Sequence, residues 1–542
     1  MGLFIDMLQS CKSCQQPFTI EPEDLVFLDQ ISPVYDGKKY ALPAPVYCPA
    51  CRQQRRMVYR NERSLYKRNC DKCQKSFLSV YSPEKPFTIY CRDCWWADDW
   101  NALDYGQEFD FTRPFFDQYF ELLKKIPQLG IVNALDENSD YTNYGFQNKD
   151  CYLLFTADFN EKCSYGCFVW HSFDCYDNLS LIEGELCYEC IDCVKCYGSA
   201  YCFECENIMN CYGCVDCRNC ESCFGSSGLR QKKYYFFNEA CSKEEYEQKV
   251  TAAKANWPET LRRFKEVGRD TPRRNLFLVQ CENVLGDHLK NCKNCFYCFD
   301  CQEVEDCKYM TNTPAKADHC QDIDGSGFLS WSYQCAAIAG HHHLFSEFQW
   351  TTGSNQIYSS YSMASSNIFG CVGVKKGEYC ILNKQYSKEA FEKMAARVVE
   401  HMQKTGEWGD GFLPECTRFA YNETLAQQYY PLTRGSAERL GYFWRDEVLE
   451  KPEVGLENVV ICEVTGKPFR LTKQELEFYQ KMDLPLPTKH PEVRMKERDA
   501  KRNPRRLWTR TCDHCGVSMF STYAPERTEV VYCEKCYLEA VY

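Results

Sequence analysis

The sequence predicts a multidomain, mainly β protein with short helices, in which small cysteine-knuckle ribbons at both ends flank a duplicated, cysteine-rich β-solenoid. Three observations predict it. Paired CxxC motifs near the start return near the end at a constant offset of 442, a central block repeats at an offset of 145, and many of the 40 cysteines keep a register of three. At 542 residues the chain is long enough for three or more domains, each with its own core.

The ribbons come first. Cys70 to Cys94 matches Cys512 to Cys536 without a gap at 11 of 25 positions, including Ser79, Tyr81, Pro83, Glu84 and Tyr90 against Ser521, Tyr523, Pro525, Glu526 and Tyr532. Each copy (Cys70, Cys73, Cys91, Cys94 and Cys512, Cys515, Cys533, Cys536) holds two CxxC pairs, and the spacer from Cys73 to Cys91 has the same length as that from Cys515 to Cys533. Four thiolates so spaced can close a tetrahedron around Zn²⁺. Cys11, Cys14, Cys48 and Cys51 make a third set across a longer insert, from Cys14 to Cys48. The expectation is about three Zn²⁺ per chain, in closed sites that hold structure rather than catalyse. A fourth set is degenerate. Cys462 aligns with Cys11 and His490 with Cys48, but Thr465 and Val493 stand where Cys14 and Cys51 do, so no full-affinity zinc is expected there.

A basic lead-in was duplicated with the ribbon. Arg52, Arg56, Arg60, Arg63 and Lys67 fall at steps of 4, 4, 3 and 4, one face of a helix opened by Cys48-Pro49. Arg52, Arg56, Arg60, Arg63 and Arg68 meet Arg494, Arg498, Arg502, Arg505 and Arg510 at the same offset of 442. The stripe can bind nucleic-acid phosphate, with Tyr59 and Tyr66 for base stacking, form a solvated face, or pair internally with acidic neighbours. A net charge of −12 argues against a polyanion binder over the whole chain.

Phe111 to Leu129 reads as an amphipathic helix entered through Pro114 and broken by Pro127. The region Cys151 to Cys380 then holds 26 of the 40 cysteines. From Cys187 to Cys223 and from Cys292 to Cys307 they share one register of three, which neither a flat strand nor an α-helix keeps on one side. A chain that turns inward every few residues does. The prediction is a narrow β-solenoid packed with thiols and stacked through aromatic ladders such as Tyr188, Tyr197, Phe203 and Tyr212. The central thiols admit three roles: buried core, metal or iron-sulfur ligands, or a redox or disulfide array. Phe224 to Tyr246 repeats as Phe369 to Phe391, each copy running from the array through an aromatic strand into a helix, with Ser242 and Glu245 in capping-box spacing.

No Walker loop, dinucleotide-binding glycine pattern, GxSxG or HExxH is present, so no catalytic residue is assigned. His341, His342 and His343, being consecutive, point in different directions; with Glu347 they offer at most a weak metal site. Asp322, Asp324 and Gly325 resemble part of a calcium loop and are expected to form a turn. The N-terminus lacks a basic and then apolar leader and no long apolar run occurs, so a cytoplasmic protein with reduced thiols and no membrane segment is expected.

Cys11 and Cys14 with Pro17-Phe18, then Pro45 before Cys48-Pro49-Ala50-Cys51-Arg52 and Arg55-Arg56, resemble the treble-clef zinc-ribbon family of small bacterial domains. The resemblance runs from Met1 to about Arg56 and implies a zinc-bound treble clef on Cys11, Cys14, Cys48 and Cys51. As a whole the chain resembles large cysteine-rich zinc-ribbon proteins of reduced-genome bacteria, a likeness that implies architecture without an activity. The expected modules are a treble-clef ribbon (1–56), a ribbon with its basic lead-in (57–100), a helical linker (101–147), two solenoid repeats with helices (148–275 and 276–408), a linker (409–458), a degenerate ribbon (459–510) and a last ribbon (511–542). The expected role is a non-enzymatic zinc-binding scaffold that docks to RNA, another nucleic acid or a protein. The alternatives are an iron-sulfur or thiol-redox protein built on the central arrays and a thiolate metal store.

Overall fold

The computed structural model describes residues 7–349, 353–446 and 458–542. The fold is mainly β, with short helices, cysteine ribbons towards both ends and two solenoid sheets of ten strands each. The chain divides into two compact units, and neither is a continuous stretch. One joins Met1–Gly130 to Phe277–Arg445, and the other joins Ile131–Leu276 to Asp446–Tyr542. Each unit therefore pairs one terminal ribbon module with one solenoid.

The first solenoid repeats with a period of twelve. Phe155 lies beside Cys167, Leu179 beside Ile191, and Val194 beside Glu206, all in parallel register. Each coil is four triplets, and one residue of each triplet has positive φ: Tyr201 at 58°, Glu204 at 54°, Asn207 at 51° and Asn210 at 52°. That left-handed residue bends the chain a quarter turn, so every third residue points inward. The bend costs about 1 kcal/mol or more for a residue with a Cβ. It is offset by two backbone ladders, as in Ala200 N–H to Cys211 C=O (2.9 Å) and Tyr201 N–H to Tyr188 C=O (2.8 Å).

The inward residues solve a hydrogen-bonding problem. Their side chains donate to carbonyls two positions before and nine after, as Cys187 Sγ does to Glu185 (3.5 Å) and Cys196 (3.2 Å). They also accept the inward N–H one coil on. Asn160 Oδ1 takes Ser172 N–H (3.0 Å), Ser199 Oγ takes Cys211 N–H (3.1 Å) and Cys205 Sγ takes Cys217 N–H (3.4 Å). Cys, Ser and Asn thus occupy one slot because each is small and both gives and takes a hydrogen bond.

This corrects three expectations. The solenoid opens before residue 148, since Asn133–Ala134 and Thr142–Phe146 already pair in its sheet. Its first coils carry Asn148 and Asn160 where later coils carry Cys, so a count of cysteines misses them. Aromatic ladders run at the coil length: Tyr176, Tyr188, Ala200, Tyr212 and Phe224 form one, whereas Tyr197 and Phe203 belong to two others. The segment from 409 is packed rather than linking. Phe412, Phe419, Tyr421 and Leu425 sit in the core of their unit with Phe115, Phe116 and Tyr119 of the helix Phe115–Lys125. The end of that expected linker, 447–457, lies outside the described residues, as does the start Met1–Asp6.

Each solenoid closes with an antiparallel hairpin whose tip is an asparagine at positive φ, Asn238 (63°) or Asn383 (61°). Asn238 clamps Ser227 and Asn383 clamps Val372, each through backbone N–H and C=O. The helix Lys243–Lys254 follows, opened by the Ser242–Glu245 capping box, and Lys388–Thr405 follows in the second copy. Replacing Asn160 by Leu should strand Ser172 N–H and Val169 C=O in the lumen and cost about 2–4 kcal/mol. An unchanged urea midpoint for Asn160→Leu would show that the lumen bonds do not hold the coil.

Candidate metal centres

Three groups of four thiols stand together: Cys11, Cys14, Cys48 and Cys51; Cys70, Cys73, Cys91 and Cys94; Cys512, Cys515, Cys533 and Cys536. Within each group the sulfurs all lie within 4.8 Å of one another. All twelve cysteines expected as ligands fall into them. Each group is built alike. A strand (Met7–Ser10, Tyr66–Asn69 or Trp508–Thr511) runs into a knuckle carrying the first pair. Positive φ at Gln15, Gln74 or Gly516 turns the knuckle back, closed by Gln15 N–H to Cys11 C=O or its equivalents. The second pair opens a helix, Pro49–Met57, Arg92–Trp96 or Glu534–Val541, with Cys48, Cys91 and Cys533 as the N-caps.

One sulfur pair in each group stands at the spacing a tetrahedral ion asks for. Metal–sulfur bonds of about 2.3 Å place tetrahedral sulfurs about 3.8 Å apart. Those pairs are 3.7 Å apart for Cys14–Cys48, 3.8 Å for Cys73–Cys91 and 3.9 Å for Cys515–Cys533. Backbone amides point at the sulfurs: Cys48 N–H to Cys11 (3.3 Å), Cys91 N–H to Cys70 (3.2 Å) and Cys533 N–H to Cys512 (3.3 Å). Burial opposes ionisation of the Cys70 thiol, but the amides of Cys73, Cys91 and Lys72 outweigh it and bring it down to about 7. Cys512 falls to about 6 by the same balance, and Cys48 to about 5, chiefly through the Cys51 thiol beside it.

The degenerate module keeps the knuckle without the ligand set. Gly466 N–H still reaches Cys462 C=O (2.9 Å), and Cys462 packs with Phe469 and Leu471. His490 caps the helix Pro491–Asp499 through Nδ1 and the Glu492 N–H (3.2 Å).

The basic stripe is turned inward. The helix ends at Met57, so Arg60 and Arg63 lie in the loop beyond it and Lys67 on the strand Tyr66–Asn69, rather than all five on one helix. In that loop the Asn61 side chain donates to the Ser64 and Val80 carbonyls. Arg52 Nε reaches Asp322 (2.9 Å), and Arg56 bridges Asp322 (3.0 Å) and Asp324 (2.7 Å). Arg60 pairs with Glu62 and donates to Asp324 C=O, over Gly325 at φ 67°, where a Cβ would strike its guanidinium. Arg52, Arg56 and Arg60 are buried. The Asp322-Ile323-Asp324-Gly325 motif is therefore part of a solenoid strand holding arginines, not an isolated turn or calcium loop.

The other unit repeats the arrangement. Arg494 pairs with Asp177, and Arg498 reaches it at 2.6 Å. Asp177 and Asp322 differ by 145 positions, and Arg52 and Arg494 by 442. Sequence reasoning missed Asp177 and read Asp322 only as part of a turn, although the solenoid offset aligns the two. Of the histidines, His341 bonds Ser330 Oγ (2.9 Å), His342 faces Asn355 (3.3 Å), and His343 is buried. Glu347 pairs with the buried Arg418.

No family model matches the chain, and no curated protein does. Among solved structures it is similar to one described as "putative acetyltransferase" from Desulfovibrio desulfuricans G20. The two share 8% identity at a TM-score of 0.10, over 42% of this chain and 65% of that one, less than two thirds of its length. A likeness of that degree adds nothing to the assignment. The four-thiol groups are compatible with zinc-ribbon-like sites, and that statement rests on their geometry.

Replacing Asp177 or Asp322 by Ala should cost about 3–5 kcal/mol, because two buried guanidinia lose a shared partner. Urea unfolding of the two variants measures it, and a loss below about 1 kcal/mol would refute the pairing. The lowered thiol pKa values set a pH dependence. In each group one thiol is lowered while a partner, Cys51, Cys94 or Cys536, is raised; the stabilisation carried by the lowered thiols is whole above the ordinary thiol value of 9.0 and is lost as pH falls below it. Metal bound at pH 8 should leave as the solution is brought below 5, read by a chromophoric chelator.

Proposed function

We propose that the chain is a non-enzymatic, zinc-binding scaffold of the reducing cytoplasm, with zinc in its three four-thiol groups and a protein as its docking partner. The observation that carries the reading is that four sulfurs gather within 4.8 Å of one another in each of three groups, with one pair in each at 3.7, 3.8 or 3.9 Å, the edge of a zinc-thiolate tetrahedron. Closed four-thiolate sites leave no coordination position for a substrate, so their binding energy is folding energy.

The central thiols support a scaffold over an iron-sulfur protein, a redox array or a metal store. Among the described residues they form no group of three or more within 4.8 Å of one another, and they donate to lumen carbonyls besides touching neighbouring thiols. A protein partner is favoured over RNA or DNA because Arg52, Arg56 and Arg60, the buried part of the stripe, already hold carboxylates. The ribbon modules also show apolar side chains to solvent: Met7 and Leu8, Ile461 and Val464, Val517 and Phe520. Among the described residues no helix is long and apolar enough to cross a membrane.

Elemental analysis of anaerobically purified protein tests the assignment. Three zinc and no iron per chain are expected. In the native state Cys241 and Cys281 should titrate as the accessible thiols outside the metal groups, rising to 40 after unfolding with chelator. Iron with sulfide, or zinc well above three, would move function into the central arrays. Retardation of RNA or DNA that weakens steeply with salt would restore the nucleic-acid partner.

A further inference from the structure

The lumen of the second solenoid changes character over two coils. Elsewhere its inward residues are small or apolar, among them Cys295, Cys298, Cys320 and Cys335. Among the described residues between 340 and 362 the inward positions include Gly340, His343, Ser346 and Gln349, then Gly353, Gln356, Ser359 and Ser362. The coil partners are fixed by register, His343 beside Gln356 and Gln349 beside Ile338.

Two of these positions are glycine for a reason. A Cβ on Gly340 would stand 2.6 Å from His343 Nε2, and one on Gly353 would strike Gln356 Nε2. The glycines clear the lumen for side chains far longer than a thiol. Those side chains are wholly buried, at 0% exposure for His343, Gln349 and Gln356. Yet their polar ends are not all satisfied. Neither His343 nitrogen, neither polar atom of the Gln349 amide, nor Gln356 Oε1 has a hydrogen-bond partner. The Ala339 carbonyl lies near the imidazole but outside hydrogen-bond geometry to either nitrogen. Gln356 Nε2 is spent on Ser365 C=O (2.7 Å). Left dry, each of the five would keep the full desolvation penalty of a buried, unpaired polar atom.

We infer that this stretch of lumen is a binding site for internal water, held by His343, Gln349 and Gln356. The donor set selects the guest. A neutral imidazole offers one donor and one acceptor, the Gln349 amide offers both, and Gln356 offers an acceptor. A cation would leave the Gln349 NH₂ unpaired, and an anion would leave the carbonyl oxygens unpaired. Water, which gives two hydrogen bonds and takes two, satisfies the whole set and needs about three partners to be held. Burial pushes the His343 imidazole down to about 3, so it stays neutral at physiological pH.

The test uses the full chain. A crystal structure at high resolution should show ordered water within hydrogen-bond distance of His343 and Gln349, with no anomalous signal. Oxygen-17 relaxation dispersion should report long-lived internal water that is lost in Gln349→Leu. Thermolysin cleavage at fixed urea should run ~5–30-fold faster for Gln349→Leu and for His343→Leu, the span of a ~1–2 kcal/mol loss. A metal peak on His343 would replace water by a cation and overturn the inference. So would an empty lumen in the wild-type crystal, or slower cleavage of both variants, since apolar groups then suit a dry lumen better.

Discussion

The solenoid depends on one constraint, that every third backbone amide points into a lumen too narrow for bulk water and must find a partner there. A parallel coil of four triplets, each with its left-handed residue, leaves no sheet neighbour for those groups. The inward side chain is the remaining source of hydrogen bonds. It must be small enough to fit four to a coil and able both to donate and to accept. Cysteine meets the demand weakly but with a large, polarizable, apolar surface, so it supplies packing and hydrogen bonding from one group. The abundance of cysteine in this chain is thus mainly a property of its narrow coil, and a minority of the thiols form the four-thiol groups.

The same principle, that a buried polar group must be answered, fixes each ribbon module to its solenoid. Arg52 and Arg56 on one helix face converge on Asp322 and Asp324, and Arg494 and Arg498 converge on Asp177. Forked guanidinia suit the task because each can serve two carboxylate oxygens at fixed angles. Buried pairs of this kind contribute less to stability than to register. A ribbon shifted along the solenoid would leave both charges unanswered.

Much of this was legible in the sequence. The spacing of Cys70, Cys73, Cys91 and Cys94 and of its later copy identified the four-thiol groups to the residue, because the knuckle is short and its geometry local. The register of three from Cys187 to Cys223 identified an inward-turning coil. What stayed hidden was non-local. Asn148 and Asn160 do the work of cysteine without looking like it. The carboxylates that take up the arginines are 270 positions from Arg52 and 317 from Arg494. Charge patterning on one helix could therefore not decide between phosphate, solvent and an acid elsewhere in the chain.

That separation has a consequence for how the chain is made. Asp322 leaves the ribosome 270 residues after Arg52, which at ~5–20 residues per second is a wait on the order of tens of seconds. The first ribbon module emerges with its guanidinia and its apolar face uncovered. The first solenoid, in turn, is finished long before Arg494 arrives to occupy Asp177. Two interleaved, mutually delayed closures give a high contact order, the regime in which folding is slow. Early metal capture by Cys11, Cys14, Cys48 and Cys51 would give the nascent ribbon a folded state of its own during that interval, making metal supply at the ribosome a control point for the yield of native protein.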